Sequence, residues 1–263
     1  MLESNNVCSA GVITPETLVA LVNGGLDVIR IRDFYPAELC NVLSNKMIET
    51  DLYGTYKNAP LIGRIGQAFF ESQASAEMAE QYWNNAVQWV HRMREVCAPY
   101  LTPIDKLRLQ IDDVWPYGAS LHALDGKRMF VGLARVFKEG SYAEPHQDVL
   151  AWDAPKSVSA KRVCGQLAAN TYLRMPCSGG ELQIWRMELN RKEYNRMRNK
   201  DSYGIDPTKL PPPDVMITPS VGELILFNAH RVHAVGRGTD GLRVTWSNFI
   251  GLTDENNPLT FWS

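Results

Sequence analysis

The sequence predicts an α+β fold: a mainly helical layer over about residues 1–128, packed against a jelly-roll-like β core over residues 129–263. Three observations predict it. Helix start and stop signals crowd the first half, short β-like runs crowd the second, and one polar stretch at about 188–213 interrupts those runs. No Ser/Gly linker or block of like charge divides the 263 residues, so a single domain is expected, and 45% hydrophobic content is enough to fill its core.

In chain order, "TPETLVALVNGG" begins a helix with Thr14 as N-cap and Pro15 in the first turn, and Gly24-Gly25 stops it. "LDVIRIRDF" alternates apolar and polar residues as a half-buried strand does, and "YPAELCNVLSNKMIET" returns to helical spacing. From Ser75 to Tyr100 a long amphipathic helix is expected, because Met78, Tyr82, Ala86, Trp89, Met93 and Val96 recur at three- or four-residue steps. From about Met129 seven runs read as strands between Gly, Pro, Ser, Asn or Asp: "MFVGLARVFKEG", "GQLAANTYLRM", "GELQIWRM", "DVMITPS", "GELILFNAH", "HAVGRG" and "LRVTWSNFIGL". Short strands without alternating helices favour a sandwich or barrel over βαβ units. The polar stretch "LNRKEYNRMRNKDSYGIDPTKLPPP" is expected to form a helix and a surface loop.

Composition narrows the function. A net charge of -2 gives no electrostatic footprint for nucleic acid or an anionic membrane, so a small-molecule partner is expected. The five cysteines, Cys8, Cys40, Cys97, Cys164 and Cys177, are scattered and form no CxxC pair, which suggests free thiols in a reducing compartment. The first residues lack a basic and an apolar signal region, and no apolar run is long enough to span a bilayer. A cytoplasmic protein is expected.

The chemistry centres on "EPHQDVLAWD". In an extended strand, residues i and i+2 point to one side, so His146 and Asp148 can aim an imidazole nitrogen and a carboxylate oxygen at one point while Gln147 faces away. Downstream, "FNAHRVHAVGRG" offers His230 or His233 as a third donor. Two histidines and one carboxylate on one face of an ion, with the other positions open, suit non-haem Fe(II) and O₂ chemistry. Arg243 follows ten residues after His233, with Thr245 on the same strand face.

This combination, from Met129 onward, resembles the iron(II) and 2-oxoglutarate dependent oxygenases, whose pattern is H-x-D/E, a distal His, then an Arg about ten residues on. The resemblance implies a double-stranded β-helix, and cofactors Fe(II), 2-oxoglutarate and O₂. It makes His146, Asp148 and His233 the metal ligands, His233 being preferred to His230 because His233-Ala234-Val235 matches the family's H-x-V. It assigns Arg243 to the distal carboxylate of 2-oxoglutarate, with Thr245 adding a hydroxyl; a planar guanidinium can make two charge-assisted hydrogen bonds there at once. "GGELQIWRMEL", the polar insertion and the closing "FWS" look like the compact branch that holds freestanding amino-acid and alkaloid halogenases and their hydroxylase relatives. Halogenating relatives carry a small residue in place of the carboxylate, so Asp148 implies hydroxylation.

The expected substrate is a free amino acid or a derivative. Asn248 resembles a substrate-touching position. Arg64, assigned to the helical layer, could pair with a substrate carboxylate; Trp152 and Asp153 could close the pocket, with Asp153 expected to face an amine. Rival readings are a carrier-tethered or alkaloid-like substrate, oxidative cyclisation or desaturation at the same centre, and a jelly-roll module that binds metal or ligand without turnover.

Overall fold

Two largely antiparallel sheets lie against each other, and the helices cover the outer face of the larger one. The computed structural model of the chain describes residues 7–56, 59–200 and 202–263. The larger sheet runs in the order Ser9–Ala10, Val28–Ile31, Leu224–Asn228, Gly165–Arg174, Arg243–Leu252, Leu133–Phe137, Ile62–Ile65, Gly54–Thr55, and Leu259–Trp262 also pairs with the Arg243 strand. The smaller sheet runs Val215–Ile217, Leu182–Ile184, His233–Val235, Ala143–His146. Strands distant in sequence are neighbours through the middle of both sheets, which is the jelly-roll arrangement the seven sequence runs predict.

Each face of the larger sheet has its own core. Ala168, Tyr172, Ile225 and Phe227 point inward and pack on Leu182, Ile184, Val215 and Ile217 of the smaller sheet. Their neighbours Leu167, Ala169, Leu224, Leu226, Val244 and Trp246 point outward and join the helical layer. Strands covered on both faces read as continuous apolar runs, which is why "LILFN" is buried at every position.

The helices follow their start signals. Thr14 caps the helix Pro15–Val22 in a reciprocal box with Thr17, and Ser75 caps Ala76–Cys97 through the Met78 amide. The long helix buries Tyr82, Ala86, Val90, Met93 and Cys97. Trp89 and Val96 of the predicted stripe lie only half-buried beside it, so the buried line runs one position later at each.

Two expectations are corrected. "LIGRIGQAFFE" is not part of the helical layer: Ile62–Ile65 is a strand antiparallel to Leu133–Phe137, and only Phe69–Ser72 is helical. Gly63 lets that strand lie close to Tyr53, whose hydroxyl would sit 1.9 Å from a Cβ at this position. The polar insertion is also more than a surface loop. Its helix Arg191–Met197, closed by a capping box from Asn190 to Glu193, buries Tyr194; with Ile205, Tyr194 joins a third apolar cluster containing Trp185, Val232 and Ala234.

Candidate metal centre and active site

His146 ends its strand and is the cross-strand partner of His233, so residues far apart in sequence meet through register alone. Their imidazole centroids are 4.3 Å apart. Asp148 lies two residues beyond the strand end, where its amide donates to the Ala229 carbonyl at 3.0 Å and keeps the chain extended. Its Oδ2 stands 3.3 Å from His233 Nε2 and 3.8 Å from His146 Nε2. One donor atom from each of the three side chains falls within 4.8 Å of the others, a spacing that can hold one ion. Gln147 turns away, donating to the His230 carbonyl at 2.5 Å and to the Leu189 carbonyl at 3.3 Å.

Backbone carbonyls orient both rings. His146 Nδ1 lies 2.6 Å from the Glu144 carbonyl, and His233 Nδ1 lies 2.9 Å from that of Arg231. A carbonyl only accepts, so each Nδ1 carries the proton and each Nε2 presents a lone pair toward Asp148. Burial, reinforced by the neighbouring His233, pushes His146 down to about 4, so the neutral ligand form prevails at neutral pH. For Asp148 burial acts in the opposite sense, but the neighbouring imidazoles of His146 and His233 and the charge of Arg135 hold it down at about 2. Two neutral imidazoles and one carboxylate are the donor set that a divalent iron takes. His230 lies outside the cluster; its amide bonds to Asn228 Oδ1.

The three side chains border a cavity of about 350 Å³. Arg243 and Thr245 face into it from the larger sheet. Arg243 is 4% exposed and is sandwiched between aromatic rings, with its guanidinium carbon 4.8 Å from the Phe137 centroid and 5.1 Å from that of Tyr172. No carboxylate among the described residues pairs with it, and its Nε has no hydrogen-bond partner. A buried guanidinium in that condition carries a desolvation cost that an anion would offset. Gly180, at φ +75°, passes close to the arginine stem: a Cβ there would come within 3.3 Å of Arg243 Cδ. The residues present therefore fit 2-oxoglutarate as they fit the metal.

Of the other sequence candidates, Trp152 and Asp153 line the cavity from the short helical turn Leu150–Asp153. Trp152 packs at 5.4 Å on Tyr194 of the insertion. Burial, and then the nearby negative Asp148, push Asp153 up to about 7. Asn248 borders the cavity, but alternation puts its side chain on the face opposite Arg243, Thr245 and Ser247. Arg64 is not among the lining residues; it pairs with Glu71 at 2.9 Å and donates to the Gly66 carbonyl at 2.7 Å.

Sequence reasoning missed two contributors. Arg135 lines the cavity from the strand next to Arg243. The insertion forms the roof: Tyr203 packs edge-on to His146 at 5.6 Å, and its hydroxyl accepts from the Glu144 amide at 3.0 Å. The Glu144 carboxylate in turn accepts from Ser202 Oγ and, at 3.0 Å, from the Gly204 amide. Aromatic residues at positions 194 and 203 of the insertion, with 152 beyond the metal strand and 185 just before the insertion, were the available signal.

Comparison with known proteins agrees with this geometry. No family model matches the chain. It is 27% identical over 263 residues to an L-gamma-glutamyl-L-propargylglycine hydroxylase of Streptantibioticus cattleyicolor, covering 97% of this chain and 94% of that protein. Among solved structures it is similar to an N-substituted L-amino acid dioxygenase from Burkholderia ambifaria, with a TM-score of 0.63, 15% identity, and 95% and 91% of the two chains covered. That protein has also been solved in complex with alpha-KG. HygX from Streptomyces hygroscopicus, solved with nickel and 2-oxoglutarate bound, superposes with a TM-score of 0.51 at 14% identity over 90% of this chain and 87% of that one. None of these three is named as a halogenase, and the placement in the halogenase-containing branch goes no further. Fold, ligand cluster and full-length similarity point the same way: the chain shares its fold with these structures and is similar over nearly its whole length to a hydroxylase.

Proposed function

We propose that this protein hydroxylates an unactivated C–H bond of a small amino-acid derivative, with Fe(II) held by His146, Asp148 and His233, and 2-oxoglutarate held by Arg243 and Thr245. The observation that carries the reading is the convergence on one cavity of the three donors and of Arg243, which no carboxylate neutralises among the described residues. A metal-binding module without turnover has no use for that buried cation. Bound iron, 2-oxoglutarate and O₂ supply the oxidising equivalents for the reaction. The chain's own residues orient and position: the Glu144 and Arg231 carbonyls fix the two imidazoles, Arg243 orients the dicarboxylate, and Tyr203 of the insertion packs on His146.

Asp148 favours hydroxylation over halogenation, since its carboxylate fills the position a halide would need. The similar proteins act on a γ-glutamyl amino acid and on N-substituted amino acids by their names, which supports an amino acid or its N-acyl derivative as substrate here. All five cysteines are free, and among the described residues no helix is long and apolar enough to cross a membrane; both support a cytoplasmic location. The test is anaerobic addition of Fe(II) and 2-oxoglutarate, followed by a screen of amino acids and their γ-glutamyl derivatives for succinate release and gain of one oxygen. A visible charge-transfer band and a substrate-stimulated hydroxylated product are expected; absence of the band would leave only a binding module.

A further inference from the structure

Four arginines line the cavity, and the proposed cofactor site uses only Arg243. Arg191 and Arg198 are exposed on the insertion. That leaves Arg135, at the centre of the strand Leu133–Phe137, whose cross-strand partner on one side is Thr245. Cross-strand partners share a face, so Arg135 projects into the cavity on the same side as Arg243 and Thr245. Its partner on the other side is Arg64. Two like charges directly opposite each other on adjacent strands repel. Glu71 neutralises Arg64, but nothing equivalent serves Arg135: its Nε donates to Tyr56 Oη at 3.3 Å, and among the described residues no carboxylate forms an ion pair with it. The acid whose charge it feels is Asp148, which the metal claims. A half-buried guanidinium next to a second arginine and facing an enclosed space is arranged for an anion that arrives from outside.

We propose that Arg135 anchors a free carboxylate of the substrate and thereby makes the enzyme select amino-acid derivatives with that carboxylate over their amides. This rests on the function proposed above and adds the recognition element to it. The guanidinium fixes one end of the substrate against the wall formed by Leu133 and Phe137, and the rest of the molecule extends toward Trp152 and the insertion.

The test uses the intact protein loaded anaerobically with Fe(II) and 2-oxoglutarate. It is titrated with the twenty protein L-amino acids, their γ-glutamyl derivatives and the matched carboxamides, while perturbation of the charge-transfer band is read, and succinate release is then measured in air. Acids that perturb the band are expected, with their carboxamides silent. Arg135→Gln should lower kcat/KM for the best acid at least ~30-fold, chiefly through KM, and bring the acid-to-amide preference near unity. Arg135→Lys should recover part of the loss, because it restores the charge without the planar fork. The 2-oxoglutarate midpoint should stay within about threefold in both variants. Equal use of acid and carboxamide by the unmodified protein overturns the proposal. So does a band that forms but responds to no acid, or an Arg135→Gln effect that falls on 2-oxoglutarate instead. Failure of the band itself would count against the proposed function.

Discussion

Replacing Arg243 by Met separates a binding role from a structural one. The side chain is 4% exposed, has no carboxylate partner among the described residues, and lies between Phe137 and Tyr172. If it receives a carboxylate through two charge-assisted hydrogen bonds at ~1.5–3 kcal/mol each, the loss is about 3–6 kcal/mol. At about 1.4 kcal/mol per decade, 2-oxoglutarate affinity should fall by roughly 10²–10⁴. Stability of the ligand-free protein should move the other way. Met keeps an apolar stem between the two rings and removes a desolvated, unpaired charge, a change that is neutral to stabilising by up to ~4 kcal/mol in comparable cases. With roughly 2–4 °C per kcal/mol for a chain of this size, Tm should hold steady or rise by several degrees. The assay pairs an anaerobic titration of the charge-transfer band with a thermal melt of the same preparation. A Tm lowered by more than ~5 °C with the 2-oxoglutarate midpoint unchanged would refute the reasoning, because it would mean that Arg243 is a structural cation.

Asp148→Gly removes one of three donors, so Fe(II) affinity measured by equilibrium titration should drop by more than about tenfold and hydroxylation should collapse. Chlorinated product from the unmodified protein in chloride buffer would contradict the role given to Asp148. Asp153, raised to about 7 by burial and by Asp148, is held above its unfolded value of 3.8, so its contribution to stability is full below pH 4 and lost as pH rises through about 7. The metal-free Asp153→Asn variant should therefore gain on the unmodified protein in urea melts as pH goes from 4 to 7; parallel curves would show that the group is not perturbed. Gly204→Ala places a Cβ 2.2 Å from Glu144 Cβ and 2.5 Å from its Oε2, which should cost ~1–3 kcal/mol and loosen the insertion locally. Hydrogen exchange should rise from Arg191 to Ile205 and not in the long helix Ala76–Cys97; unchanged exchange in the insertion would remove that clamp from the account.

The central strands of the larger sheet were legible because they are covered on both faces, so a segment such as Leu224–Asn228 appears as a nearly continuous apolar run bounded by turn residues. Thr14 marked a helix start for a local reason, its side chain satisfying an amide three residues away, whereas the helix from Ser75 was legible from the spacing of its apolar stripe. Ile62–Ile65 was not legible. Four residues interrupted by a glycine carry no period of their own, and what makes them a strand is the Leu133–Phe137 edge, about seventy residues downstream. His146 and Asp148 could be read as a pair because a two-residue step on a strand is a local quantity, whereas preferring His233 to His230 rests on the resemblance to the family's H-x-V, since its pairing with His146 is long-range. Arg135 could not be read, since its position follows from the registers Arg64–Arg135 and Arg135–Thr245, which no short window contains. The arginine picked from sequence lies on the same cross-strand row, one strand too far out. Asn248 could have been read more closely: five steps from Arg243 is an odd number, which already puts the two side chains on opposite faces.

The bonds from Ser202 and Gly204 to Glu144 tie the roof to the residue two places before a metal ligand, and that bears on redesign. Exchanging the insertion for a relative's as a cassette would also unfasten the strand that presents His146, so a graft has to bring its own counterpart of Glu144 along. Libraries that vary Arg191, Asn195 and Arg198 while keeping residues 202–204 fixed would alter what enters the chamber without disturbing how the metal is held.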